Sequence, residues 1–400
     1  MNTTRERVPT SPNEAFTPHH LTALLALDQI PGLGARTCRK LLEATGSPQL
    51  LWEQFDEVLQ ATPASARTQP LIAAWRQTRQ RIQPEELLRQ CEALSIQPIG
   101  LGDALYPPML AHVYDPPIVL YARGNPGALQ GKTIGFVGTR KASAYGRQVT
   151  ERLIGDLAPC GVTIISGLAM GIDACAHQAA LANHLPTVAV FGCGIDQIYP
   201  RAHERLASEI LASGGALVSE YPPGAPGSRA TFPQRNRIIA GLCYGVAVIE
   251  GDIASGSMIT ARAAFEEGRA VFAVPGNVFS PGSQGPIKLL KDGAAMLTCA
   301  DDLLSELRWL KPDQARQPSL FEATGHVASE GCAASAEKSP QEALSPEERE
   351  ILALIEFEPT PTERLQQRSG LPAATLSQAL TMLELAGHIA LLPGAKACRL

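Results

Sequence analysis

Thr133-Ile134-Gly135-Phe136-Val137-Gly138-Thr139-Arg140-Lys141-Ala142-Ser143-Ala144-Tyr145-Gly146 decides the fold. The first five residues carry no charge and read as a strand buried on both faces. A loop rich in glycine and hydroxyl groups follows, then a helical pattern over 146–157. The unit recurs. Strand-like runs at 162–165, 187–191, 216–218, 246–249 and 270–274 alternate with helical patterns at 174–182, 202–211 and 259–267. Short apolar strands separated by helices predict an α/β domain over 96–310, a Rossmann-like doubly wound parallel sheet.

Two smaller units flank it. Residues 1–18 read as a flexible tail, and 19–95 as a small all-α domain with helically spaced apolar residues (Leu24, Leu25, Leu27; Leu41, Leu42; Leu87, Leu88). Within it, Ile30-Pro31-Gly32-Leu33-Gly34 gives a SAM/helix-hairpin-helix-like turn. That turn either presents backbone N–H groups to a phosphate or serves as a plain helical scaffold, the reading favoured for so short a motif. Residues 311–343 have a linker composition of Pro, Ser, Ala and Gly. Ser345-Pro346-Glu347-Glu348 then opens 344–400 as a capping box. Helical patterns at 351–357, 362–369 and 373–386 follow. Residues 388–392, the Pro393-Gly394 turn and 398–400 complete a winged helix.

Bulk composition narrows the class. The 400 residues are 45% hydrophobic and 18% charged, as in soluble globular chains, and no apolar run reaches the length of a membrane span. Nine dispersed cysteines without a CxxC pair, and no apolar leader in 1–17, fit a cytoplasmic protein without structural zinc. A net charge of −5 argues against coating DNA by bulk electrostatics but leaves room for a local basic groove.

Ligands of open α/β sheets sit at the carboxyl ends of the strands. The loops there contain 138–146, 166–173, 192–201, 220–237 and 250–260. Dinucleotide binding is disfavoured: no G-x-G-x-x-G follows the first strand, and the second ends in Ser166 rather than an acid. Gly131-Lys132-Thr133 precedes its strand, so it is not a P-loop. Asp173 and His177 share one helix face, and Glu250-Gly251 ends a strand. Each either serves a catalytic carboxylate role or is structural, and neither comes with a recognisable hydrolytic motif.

Phosphate and base contact fits better. Arg140, Arg201, Arg229, Arg235 and Arg237 supply cations, and Phe232 offers a ring for an unpaired base. Asn236 either reads a base edge or caps the apolar helix that follows it. Ser255-Gly256-Ser257 offers an anion nest. No basic helix suited to a major groove accompanies them, which favours single strands over duplex.

Together these loops resemble the DprA/Smf family of DNA-processing proteins. The matching residues are Val137-Gly138-Thr139-Arg140 with Tyr145-Gly146, Ser166-Gly167-Leu168-Ala169 with Gly171-Ile172-Asp173 and Ala176-His177, and Gly192, Gly194, Asp196 and Tyr199-Pro200. Further matches are Ser219-Glu220-Tyr221-Pro222, Phe232-Pro233 with Arg235-Asn236-Arg237-Ile238-Ile239, Ser255-Gly256-Ser257 with Ile259-Thr260-Ala261, and Val274-Pro275-Gly276.

The resemblance implies a non-catalytic homodimer, with no cofactor and no membrane insertion, that binds and protects single-stranded DNA. It would help load the RecA recombinase onto strands guarded by single-strand-binding protein during natural transformation. Carried over by position, Arg140 and Arg229 contact the backbone, Phe232 stacks, and Gly138, Thr139, Ser166, Gly167 and Arg201 line the pocket. Pro286-Ile287-Lys288 departs from the family pattern after Gly285. No Lys or Arg occurs over 372–395, which points the winged helix towards a protein contact. The alternative is a Rossmann-type nucleotide-processing hydrolase using Glu250 or Asp173 with His177.

Overall fold

The apolar runs assemble into one sheet: β1 (Gln97–Gly100), β2 (Val119–Gly124), β3 (Thr133–Val137), β4 (Thr163–Ser166), β5 (Thr187–Phe191), β6 (Ala216–Ser219), β7 (Gly245–Val248), β8 (Ala270–Ala273) and β9 (Ala295–Met296). In this computed structural model the described residues are 17–61, 69–309, 345–355, 360–385, 388–392 and 396–399. They fall into two compact units, one within 1–317 and one within 318–400. The expected linker lies outside the described residues. So does the expected tail, except Thr17 and Pro18, which cap and open the first helix.

The strand order is β1-β2-β6-β5-β4-β3-β7-β8-β9. Strands β3 to β9 are mutually parallel, whereas β2 runs antiparallel to both β1 and β6. The six strands read from sequence are β3 to β8. β3 and β5 have the expected limits, because each uncharged run stops at a glycine or turn. β1, β2 and β9 were not foreseen. Pro98 fits β1 because β1 is an edge strand, where a missing N–H is tolerated.

The chain lays down β3, β4, β5 and β6 in one direction, then returns to place β7 on the other side of β3. Connections on the two sides of β3 leave the sheet on opposite faces, so a crevice opens at its carboxyl edge. Helices Ala144–Leu157, Ile172–Ala182, Thr231–Leu242 and Gly256–Glu266 all begin at that edge.

The N-terminal helices pack on the sheet. Leu24, Leu25, Leu27, Leu51, Phe55 and Trp75 share one buried cluster with Tyr121 and Phe191 of the sheet layer. The hairpin at Ile30–Gly34 is part of this core. Ile30 and Leu33 are buried, and Trp75 Nε1 donates to the Pro31 carbonyl at 3.1 Å. Gly32 takes a left-handed φ of +78°, which closes the turn. These contacts favour the scaffold reading of the hairpin.

A part-buried polar contact also joins the two layers. Tyr121 Oη donates to Asp28 Oδ2 at 2.9 Å. Burial pushes the Asp28 carboxyl up to about 7, opposed by the Tyr121 bond and reinforced by Glu220. The folded state therefore keeps a proton that the unfolded chain has released. Its stabilising share is complete below the usual carboxylate pKa and is lost as pH rises through about 7. Urea midpoints should fall between about pH 5 and about pH 8, and Asp28→Asn should flatten part of that fall. Identical pH profiles for the two chains would remove Asp28 from the account.

The second unit has helices Pro346–Leu354, Thr362–Ser369 and Ala373–Leu385 and a three-stranded antiparallel sheet of Thr360–Pro361, Lys396–Arg399 and Ile389–Leu392. The capping box forms as expected: Ser345 N donates to Glu348 Oε2 at 2.7 Å, and Glu348 N to Ser345 Oγ at 3.2 Å. Ile351, Leu365, Leu376, Leu380, Leu383 and Ile389 fill the core of this winged helix. The expected Pro393-Gly394 turn lies outside the described residues. Among the described residues, no helix is long and apolar enough to cross a membrane.

Candidate nucleic-acid interface

Loops after β3, β4, β5, β6 and β7 surround an open groove of about 1270 Å³. That exceeds the usual small-molecule cleft of about 300–1,000 Å³ and suits a polymer segment. Helix starts point their N–H groups at this edge, which favours an anion. Ser255 caps the Gly256–Glu266 helix, and its Oγ lies 2.9 Å from that of Ser257.

Three cations stand free in the groove. Arg140, Arg201 and Arg229 line it, are exposed and make no ion pair among the described residues. They come from three different loops, so only the folded sheet brings them together. Of the four acids in the lining, two are held by other groups and the other two are exposed. Asp173 is buried against Arg235, Asp196 Oδ1 accepts the Gly224 N–H at 2.9 Å, and Glu204 and Asp252 are exposed.

The segment 232–237 lies inside a helix. The Thr231–Leu242 helix starts before it, with Pro233 in the first turn, where a missing N–H costs nothing. At about 100° per residue, positions 232, 235, 236 and 239 share one face, and all four line the groove. Arg237 is turned away from that face. Its guanidinium pairs with Glu220 and donates to the Asp115 carbonyl at 2.5 Å, so the expected phosphate contact by Arg237 is not met.

Arg235 is also corrected. It is 6% exposed, and its guanidinium donates to the Gly167 carbonyl at 2.8 Å, to the Val190 carbonyl, and through Nε to Asn236 Oδ1 at 3.1 Å. Asp173 faces it and accepts from Gly167 N at 3.1 Å. Burial pushes the Asp173 carboxyl up, opposed first by Arg235 and then by backbone N–H groups. Arg235 stitches the β4 loop to the end of β5 and to the helix. Gly167 makes room for this: a Cβ there would lie 2.6 Å from the guanidinium nitrogens.

Asn236 is neither the cap nor a free reader. Ala230 occupies the N-cap, and Asn236 Nδ2 donates to the Gly256 carbonyl at 3.1 Å. Ser166 points into the sheet, where its hydroxyl donates to the Phe136 carbonyl at 2.7 Å. Neither Ser166, Gly167 nor Arg237 lines the groove, whereas Gly138, Thr139, Phe232, Ser255, Gly256 and Ser257 do.

The catalytic alternatives find other partners. His177 Nδ1 bonds Thr187 Oγ1 at 2.7 Å, and that hydroxyl donates onward to the Ile164 carbonyl. Burial pushes His177 down to about 3, so the ring is neutral. Glu250 is buried and accepts from Ser143 N at 2.9 Å and from the Ser143 hydroxyl. Ser143 in turn caps the Ala144–Leu157 helix through Gly146 N at 3.0 Å. Glu250 thus backs a helix cap.

Sequence reading missed Tyr199 as a site residue. Its ring centroid lies 4.9 Å from that of Phe232, and it lines the groove. Its position in one loop with Arg201 was the available signal.

A doubly wound α/β layer with a cationic, ring-lined groove, followed by a winged helix, defines the class of protein. Comparison with known proteins makes the class specific. The family described as DNA recombination-mediator protein A matches residues 97–308, and the DprA winged helix domain matches 335–395. Protein Smf of Escherichia coli is 42% identical over 301 residues, covering 74% of this chain and 75% of that protein. The DNA processing protein DprA of Bacillus subtilis is 39% identical over 276 residues, covering 65% of this chain and 91% of that one. The crystal structure of DprA from Streptococcus pneumoniae superposes with a TM-score of 0.62 at 33% identity, covering 73% of this chain and 99% of that one. The chain belongs to the DprA/Smf family.

Proposed function

We propose that the groove binds single-stranded DNA and that the protein acts, without catalysing a reaction, as a recombination mediator. In this role it would protect incoming strands in the cytoplasm and help load RecA onto strands held by single-strand-binding protein during natural transformation. It would work as a homodimer. The observation that carries the reading is the trio of free arginines, Arg140, Arg201 and Arg229, around the Tyr199–Phe232 ring pair in an open groove. Cations match phosphates, and rings match bases that are not already paired.

The relatives' names as DNA processing proteins support the wider role. The test is a titration of the full chain with an unstructured oligonucleotide at several salt concentrations. Binding in the micromolar range or tighter is expected, with log K falling linearly against log salt at about −0.7 per phosphate held. Salt-insensitive binding, or displacement of the strand by a mononucleotide with turnover, would instead support a nucleotide-processing site.

A further inference from the structure

Phe232 was the expected stacking ring, yet its surroundings are largely filled. It is half-buried. A Cβ on Gly192 would lie 2.9 Å from its Cδ1, and one on Gly227 would lie 3.1 Å from its Cζ, so two backbone segments close upon it. Tyr199 covers it further, at 4.9 Å between centroids and 35° between planes. Tyr199 itself is 54% exposed within the groove. Arg201 stands two residues beyond it, and Arg229 opens the approach to the Phe232 helix.

On the reading of the groove as a single-strand site, we infer that Tyr199 is the surface on which an unpaired base stacks, with Phe232 supporting it from beneath. The exposed ring face then meets the base while the flanking arginines meet the phosphates on either side. A phenol ring offers a π face to any base, so the contact is tolerant of sequence. Phe232 becomes a positioning residue that fixes the tilt of Tyr199.

The test compares wild type, Tyr199→Ala and Tyr199→Phe as full chains. The probes are an oligothymidylate and the same strand with abasic sites along its centre. Tyr199→Ala should weaken binding of the oligothymidylate by roughly 5- to 150-fold and leave abasic binding unchanged. Tyr199→Phe should bind both strands as wild type does. The salt slope should not move, because no phosphate contact is lost. Wild-type affinity of Tyr199→Ala for the oligothymidylate overturns the inference, and so does equal weakening on both strands. Failure of the wild type itself to bind either strand overturns the groove assignment as well.

Discussion

Arg140→Glu and Arg229→Glu should each abolish measurable strand binding at physiological salt while leaving the thermal unfolding of the protein unchanged. Both side chains are exposed and unpaired among the described residues, so reversing their charge costs no internal contact. It places a carboxylate where a phosphate should lie. Like-charge juxtaposition costs several kcal/mol, on the order of a 100-fold loss or more. The alanine variants give the finer reading: each should lower the salt slope by about 0.7 for each phosphate released. Arg237→Gln is the control, since Arg237 is held by Glu220 and Asp115 outside the groove lining. Any loss it causes should leave the slope intact. Oligonucleotide anisotropy over a salt series measures all of these, and wild-type binding by both glutamate variants would dismiss the arginine trio.

Arg235 should behave in the opposite way. Arg235→Met removes the donors of two buried carbonyls and of Asn236 Oδ1. A buried polar group left without its partner costs about 1–3 kcal/mol, a large share of the stability of an ordinary domain. Urea unfolding should show this loss whether or not DNA is present. A variant as stable as wild type but unable to bind would make Arg235 a ligand rather than a stitch. Arg235→Lys should not rescue stability, because one ammonium cannot reproduce the planar fork that reaches three acceptors.

The contrast between these arginines shows how far sequence reaches. Arg229, Arg235 and Arg237 were equal as letters in one basic, aromatic segment. What separates them is helical phase, which puts 235 and 237 on different faces, and burial, which turns the guanidinium of Arg235 onto carbonyls of remote strands. Neither is local. The strands β3 and β5 were legible because uncharged runs end at glycines or turns and need no partner to be seen. β2 was not, since its antiparallel place beside β6 depends on pairing across a long stretch of chain. Glu250 shows the same limit: a carboxylate at a strand end is a familiar catalytic position, and only its contact with Ser143 identifies it as a support for a helix cap. Tyr199 was visible as part of a motif, but its closeness to Phe232 required the two loops to meet.

The return of the chain to β3 has one more consequence. Ile134 pairs beside Gly245, so the groove's first wall is made early in synthesis and its opposite wall, at Ser255–Ser257, late. A nascent chain that has reached β6 already carries Arg140, Arg201 and, a few residues later, Arg229. Without β7 beside β3, however, it has no crevice in which to gather them. On the single-strand reading, strand capture would therefore belong to the completed sheet, and a chain halted before β7 would hold the arginines without the crevice that gathers them.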